Sequence, residues 1–335
     1  MTRKIVNISD ISRQAKYRQI INSILDSIAG GRLKRGDKIP SINSISQEFG
    51  LSRDTVMLAF NELKARGIIV SAPGIGYFVE STNVTRDLKV FLLFDEFNTF
   101  KENIYNAFME RLEGKAQVDI FFHHFNKRVF ESLIKENASR YTTFVILPGN
   151  ITNVEQVLSR LPQDKIIILD QIPDDIEGKY PAIYQDFEEE VYQGLMSGLT
   201  LLKKYKKFVM VFPGGKEPLG FLNGFRKFCD DYHFEYEIIS DLVERNISKG
   251  EVYLLPNDRD LVNVVKIARE NKLILSKDLG IISINDTPLK EVVADGITTL
   301  SADFYEMGKL LADMIIHQER GVIKNKSKLI IRNSL

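Results

Sequence analysis

The residues best suited to recognition chemistry near the start of the chain are Arg53, Asp54, Thr55 and Met57, grouped just after Ser52. A guanidinium offers a rigid pair of donors that matches the two acceptors guanine presents in the major groove, so Arg53 is the first candidate for a base contact. Other chemistries are poorly served. FPGGKEPLG, residues 212–220, is glycine-rich but lacks the spacing and the Lys-Ser/Thr end of a phosphate-binding loop. His123 and His124 are adjacent, while His233 and His317 lie far off in sequence, so no metal-ligand spacing arises. Cys229 is the single cysteine and reads as a buried thiol. With no nucleophile elbow, no paired catalytic carboxylates and no cofactor lysine motif, the expectation is a protein that is not an enzyme and carries no metal or cofactor.

A side chain can read a base only if a helix presents it, and the surrounding sequence supplies one. Tyr17, Ile20, Ile21, Ile24 and Ile28 repeat at helical spacing, and Gly30-Gly31 ends that helix. Ser41 can cap a short helix with Ile42, Ile45 and Phe49 inward, stopped by Gly50. Ser52 caps a third, with Val56, Ala59, Phe60 and Leu63 inward and Gly67 beyond its end. Two short helices joined by a Gly-Leu turn make a helix-turn-helix, whose second helix points its first residues at base edges. Ile68-Ile69-Val70 and Tyr77-Phe78-Val79 bracket SAPGIG and read as a hairpin, a wing in which Gly74 and Gly76 permit close backbone approach. Ser41, Asn43, Ser52, Gly74, Gly76 and Tyr77 therefore join Arg53, Asp54, Thr55 and Met57 as DNA-contact candidates.

Charge agrees with this division. Lys plus Arg equals Asp plus Glu at 45 each, but residues 1–80 hold 12 basic and 7 acidic side chains, leaving 33 and 38 for the remainder. The first part is suited to a polyanion and the rest is not. A length of 335 residues accommodates two or three compact units. No apolar run approaches the roughly 18 residues that span a bilayer, and the lone cysteine suits a reducing compartment, so a cytoplasmic protein without a membrane partner is expected.

The segments YRQIINSILDSIAGGRLKRGDKIPS, LSRDTVMLAFNELKARGII and GIGYFV follow one another as in the GntR-family DNA-binding domain, and residues 12–80 resemble it throughout. The resemblance implies double-stranded operator DNA as partner. The family often has arginine where this chain has Asn43, and one subgroup has another at the position of Met57.

STNVTRD, residues 81–87, has no apolar periodicity and can link this domain, residues 1–80, to the rest, residues 88–335. From Leu88 onward short apolar runs (LKVFLLF, VDIFF, TFVIL, KIIIL, FVMVF, EVYLL, LGIISI) alternate with helical stretches, the pattern of parallel strands buried on both faces. FDEFNTFKENIYNAFMERLEG, IIILDQIP, YQDFEEEVYQGLMSGLTLLKKYKKFVMVFPG, GFLNGFRKFC, LLPNDRDLV, LGIISINDTPLKEV, ITTLSADFYEMGKLLADMI and SKLIIRNSL resemble, in order, the effector domain of LacI/GalR regulators, itself similar to periplasmic sugar-binding proteins.

The fold class so implied is α/β: an N-terminal winged helix-turn-helix followed by a two-lobed, doubly wound parallel-sheet domain. The chain would cross between lobes near Tyr184–Glu188, Ser301–Phe304 and Gly321–Ser327. Strand ends facing the cleft then nominate Asp95, Phe100, Asp170, Gln171, Asp186, Asn257, Asp258, Asn285 and Asp286 as ligand contacts. Carboxylates and amides pair with vicinal hydroxyls and an aromatic face covers a sugar ring, so the set favours a sugar or polyol. GFLNGF lacks the arginine that the resembling regulators place just before GF, a place Arg259 could fill. Together these imply a homodimeric, ligand-controlled DNA-binding regulator. Two alternatives share the fold: a solute receptor without gene regulation, and a DNA-binding regulator whose C-terminal domain only dimerises.

Overall fold

The computed structural model describes residues 5–9, 12, 14–82, 88–243 and 245–335. Most of the expected linker, residues 83–87, lies outside the described residues. The chain divides into two compact units, one of Met1–Phe94, Leu112–Ile146 and Asn153–Ile167, the other of Asp95–Arg111, Leu147–Thr152 and Ile168–Leu335.

Within the first unit, α1 (Lys16–Ala29), α2 (Ile42–Phe49) and α3 (Arg53–Ala65) converge on one core. Tyr17, Ile20, Ile21, Ile24 and Ile28 of α1 are buried, as are Val56, Ala59, Phe60 and Leu63 of α3, while Phe49 is only half-buried. Ser41 and Ser52 cap their helices as expected, each Oγ accepting a backbone N–H three residues on at 3.1 Å. Gly50 closes α2 at φ +64°, a conformation that favours glycine. β1 (Ile69–Ala72) pairs antiparallel with β2 (Gly76–Val79). Pairing therefore continues into the stretch expected to be turn. Only residues 73–75 lie outside it, because Gly74 at φ +73° reverses the chain tightly.

Beyond the winged domain the elements alternate. They run β3 (Leu88–Phe94), α4 (Thr99–Leu112), β4 (Ala116–Phe122), α5 (Lys127–Asn137), β5 (Thr143–Ile146), α6 (Val154–Leu158), β6 (Ile166–Asp170), β7 (Ala182–Tyr184), α7 (Phe187–Ser197) and α8 (Leu199–Leu202). They continue as β8 (Lys207–Val211), α9 (Leu219–Asp231), β9 (Glu235–Ile239), β10 (Glu251–Leu255), α10 (Asp258–Glu270), β11 (Leu279–Ile284), α11 (Pro288–Val292), β12 (Thr298–Ala302), α12 (Phe304–His317), β13 (Val322–Lys324) and β14 (Ser327–Ile330). One sheet has the order β13-β7-β6-β5-β3-β4 and the other β14-β12-β11-β10-β8-β9. In the first, β3 runs parallel to β4 and β5, and β7 parallel to β6 and β13. In the second only β14 is antiparallel, to β12. The apolar runs read as strands all form strands, and β6, β10 and β11 are buried along their whole length. β9 and β13 are edge strands, exposed in part to water, and carry no continuous apolar run; β4, the other edge of the first sheet, keeps one.

Sheet membership puts the three crossings where they were expected: after β7, after β12 and between β13 and β14. The crossing segments are laced to one another. Asn325 donates its backbone N–H to the Tyr184 carbonyl at 2.8 Å and its side-chain amide to the Asp303 carbonyl at 3.1 Å. Asp303 in turn donates its N–H to Lys326 O at 2.9 Å, and Lys324 reaches Asp186 at 2.9 Å.

After the first crossing α7 packs closely against α9, and Gly224 permits the approach: a Cβ there would press on the Glu188 carbonyl and lie 3.0 Å from Val191 Cβ. Backbone yields less readily than a side chain. We expect Gly224→Ala to destabilise the second unit by roughly 1 to 3 kcal/mol, seen as a lower denaturant midpoint with an unchanged slope.

Candidate nucleic-acid interface and ligand site

The start of α3 is open to solvent. Ser52, Arg53 and Asp54 are exposed, Thr55 is half-buried with its hydroxyl 2.8 Å from Ser52 Oγ, and Met57 is 36% exposed. Ser41 and Asn43 are likewise exposed at the start of α2. Buried Val56, Ala59, Phe60 and Leu63 hold the opposite face of α3, so the residues in between must face water. The wing joins this surface through Tyr77, whose ring stands edge-on to Phe60 at 4.7 Å. Tyr77 is thus half-buried and serves the core as well as the surface. Gly76 adopts φ +135°, and a Cβ there would lie 2.9 Å from Lys38 Cε, which places a lysine stem beside the wing. Lys38 itself was not among the candidates. Its signal was its place in the basic stretch RLKRGDKIP ahead of α2.

The ligand candidates all lie in the second unit. Asp95 and Asp170, at the ends of β3 and β6, are brought together on one cation: Lys101 Nζ lies 3.1 Å from Asp170 Oδ2 and 3.7 Å from Asp95 Oδ1. All three are buried. Burial alone would lower the pKa of Lys101, but Asp170 and Asp95 outweigh it and hold the ammonium above its ordinary value. Burial pushes Asp95 up, against the pull of Lys101. Gln185 donates its side-chain amide to Asp170 Oδ1. Asp170 sits at φ +75°, off the strand's extended conformation, and its neighbour Gln171 is half-buried.

Several other candidates already have structural partners. Asp186 caps α7 and pairs with Lys324, and Asn257 caps α10 through a 2.9 Å bond from Asp260 N–H. Asp286 is gripped by both terminal nitrogens of Arg332 at 2.7 and 2.8 Å and accepts from Thr299 at 2.9 Å, contacts that outweigh burial and hold its pKa below the usual range. Asp258 pairs at 2.9 Å with Lys290, whose Nζ also donates to the carbonyls of Ile284 and Asn285. Phe100 stacks on Phe304 at 5.3 Å, so one face of its ring is taken. Arg259, the suggested substitute arginine, is exposed and borders a cavity of about 830 Å³ together with Lys216, Glu217, Asn257 and Lys266. Lys216 also donates to Glu96 at 3.0 Å, and Asn150 to the Gly215 carbonyl at 2.7 Å, tying the loop after β8 to those after β3 and β5.

Lys101, Gln185, Glu190, Lys290 and Arg332 were missed. Lys101 could have been found, because with Ile104 and Phe108 it stands at i, i+3 and i+7 on the buried stripe of α4, a charge where an apolar residue is expected. Glu190 is buried with Oε1 unpartnered, and burial, with Asp170 and Asp186 nearby, pushes its pKa up to about 8.

Residues 16–79 match the family described as bacterial regulatory proteins, gntR family, and residues 231–335 match the periplasmic binding protein-like domain. The mannosyl-D-glycerate transport/metabolism system repressor of Escherichia coli is 40% identical over 80 residues, 24% of this chain and 33% of that protein. The arabinose metabolism transcriptional repressor of Geobacillus stearothermophilus is 41% identical over 64 residues, 19% of this chain and 18% of that protein. The matched stretches thus span a third or less of these relatives' own length. Among solved structures, a LacI family transcriptional regulator from Silicibacter pomeroyi superposes with a TM-score of 0.63 at 14% identity, covering 74% of this chain and 98% of that one. At that identity the likeness shows the fold. No helix among the described residues is long and apolar enough to cross a membrane.

Glu190 makes stability depend on pH. The folded chain keeps its proton up to about pH 8, whereas an ordinary glutamate releases it near 4.5, so its contribution is full below 4.5 and is lost as pH rises toward 8. Glu190→Gln should remove a slope of at most about 1.4 kcal/mol per pH unit. The variant should match wild type near pH 4.5 and exceed it at pH 8 in denaturant midpoint; parallel profiles would contradict the assignment.

Proposed function

Since the chain joins a GntR-type winged helix-turn-helix domain to a periplasmic-binding-protein-like domain, we propose that it is a transcriptional repressor whose hold on operator DNA is set by a small sugar-like effector. The observation that carries this reading is the exposed start of α3, where Arg53 stands on a helix whose opposite face is locked into the core. Arg53 reads a guanine, Asp54, Thr55 and Met57 flank it, and Ser41, Asn43, Ser52 and the wing at Gly74, Gly76 and Tyr77 approach the phosphates. Asn43 and Met57, in place of arginines, leave Arg53 the main cationic reader on this surface.

The effector binds among the strand ends of the second unit. Lys101 offsets one of the two carboxylate charges of Asp95 and Asp170, burial holds the Asp95 carboxyl above its ordinary pKa, and Arg332 and Lys290 offset Asp286 and Asp258, so little net charge is left to call for a charged ligand. The paired carboxylates, with Gln171 and Asn285, retain lone pairs and amide hydrogens for hydroxyls. Two relatives are named for sugar compounds, which supports the same class. The repressor acts as a homodimer, since one short recognition helix reads too few base pairs for genomic specificity and paired half-sites multiply it.

Gel retardation with the DNA upstream of the chain's own gene tests the reading directly. A specific, salt-dependent complex is expected, and its absence would return the chain to the receptor class. On that fragment Arg53→Ala should weaken specific binding by roughly 1 to 3 kcal/mol with folding intact. Light scattering should give a dimer. In a thermal-shift panel of neutral sugars, a ligand at 100 times its Kd should stabilise by about 2.7 kcal/mol; a flat panel would favour a C-terminal domain that only dimerises.

A further inference from the structure

The described winged domain has a second polar surface, away from the residues assigned to DNA. Glu62 lies on α3 beyond the recognition residues and is buried, although it is a carboxylate. It accepts from Arg66 one turn on, and Lys165 Nζ, itself buried, lies 3.1 Å from its other oxygen. Lys165 does not belong to the winged domain: it ends the 3-10 turn Gln163–Lys165 that leads into β6. The residue before it repeats the contact on α1. Asp164 accepts from the Tyr17 hydroxyl and, at 2.6 Å, from Arg18 Nε. All of these residues belong to the first unit.

Such a set is not a chance meeting of surface charges. A buried carboxylate and a buried ammonium each cost several kcal/mol to desolvate and are kept only where partners are fixed. Arg66 alone would serve Glu62 within the winged domain, and so Lys165 is the member whose burial depends on docking. β6 begins at the next residue and ends on Asp170, the carboxylate clamped by Lys101 and Gln185. One buried five-residue strand thus carries a winged-domain contact at its entry and a ligand-site carboxylate at its exit.

We propose that Asp164 and Lys165 form a docking site for the winged domain, seating α1 and α3, and that β6 passes changes at Asp170 to the recognition helix through it. The dock provides a contact route that does not depend on the linker, residues 81–87. This inference rests on the chain being a DNA-binding regulator, but the dock itself can be tested without DNA.

The test uses the full chain and Asp164→Ala/Lys165→Met, which leaves every residue assigned to DNA in place and leaves Glu62 paired with Arg66. Hydrogen exchange should quicken in residues 17–21, 60–66 and 163–166 while β10 and β11 stay protected. Unchanged exchange in these segments would overturn the dock. Asp164→Asn alone should shift the same segments less, and provides the readout if the double variant does not fold. On the upstream DNA fragment the double variant should bind about tenfold more weakly, because an undocked domain must be oriented on binding. Lys101→Gln, which loosens Asp170, should change DNA affinity in the docked protein and have no effect in the double variant. Equal effects in both backgrounds, or none in either, would overturn the coupling. Failure of the wild type to bind DNA would instead refute the regulatory function, with the exchange experiment still deciding the dock.

Discussion

The second unit is organised around a buried ammonium. Lys101 projects from α4 into a space bounded by the ends of β3 and β6, and it can remain charged there only because Asp95 and Asp170 meet it. The requirement is mutual. Without the lysine two buried carboxylates would face each other, and without either of them the cation would lack part of its compensation. The relative positions of a helix and two strand ends are thereby set by charge as well as by apolar packing. Gln185 extends the constraint to the first crossing, since it reaches Asp170 from the segment that follows β7.

This pairing decides what the strand ends can do. A carboxylate facing an open site attracts cations, but one already joined to a lysine keeps its acceptor geometry while contributing little net field. The same arrangement recurs at the ends of β10 and β11, where Lys290 meets Asp258 and Arg332 holds Asp286. The result is a set of oriented acceptors whose charge is largely offset. That arrangement supports the sugar-like effector proposed for this site, and it follows from contacts between residues far apart in sequence.

What could be read from sequence follows from how local each cause is. The winged domain was legible nearly to the residue, because Ser41 and Ser52 cap through bonds three residues away and Gly50 and Gly74 reveal backbone reversals by type alone. Most strands buried on both faces announced themselves as apolar runs, though β12, rich in threonine, did not; of the edge strands β4 was visible as VDIFF, whereas β9 and β13 were not. At the strand ends residue type was informative and role was not. Asp186, Asn257 and Asp286 look alike in sequence, yet the first two cap helices and the third answers an arginine 46 residues further on. Partners so distant along the chain leave no periodic trace, and Lys101 was visible only as a charge misplaced on an apolar stripe.

The winged domain shows the same logic of division along a single helix. The beginning of α3 is solvent-exposed and bears the residues suited to bases; its middle is core; beyond them lies Glu62, buried against Arg66 and Lys165. A helix held at its far end and along one face has few ways to move except as a body. Whatever displaces Lys165 must therefore either break a buried ion pair or carry Arg53 with it. Breaking the pair leaves the buried Lys165 ammonium without its carboxylate partner, whereas moving the helix with its partner conserves the contact. The cheaper response is rigid movement, and it makes the far end of α3 a point from which its solvent-exposed start can be steered.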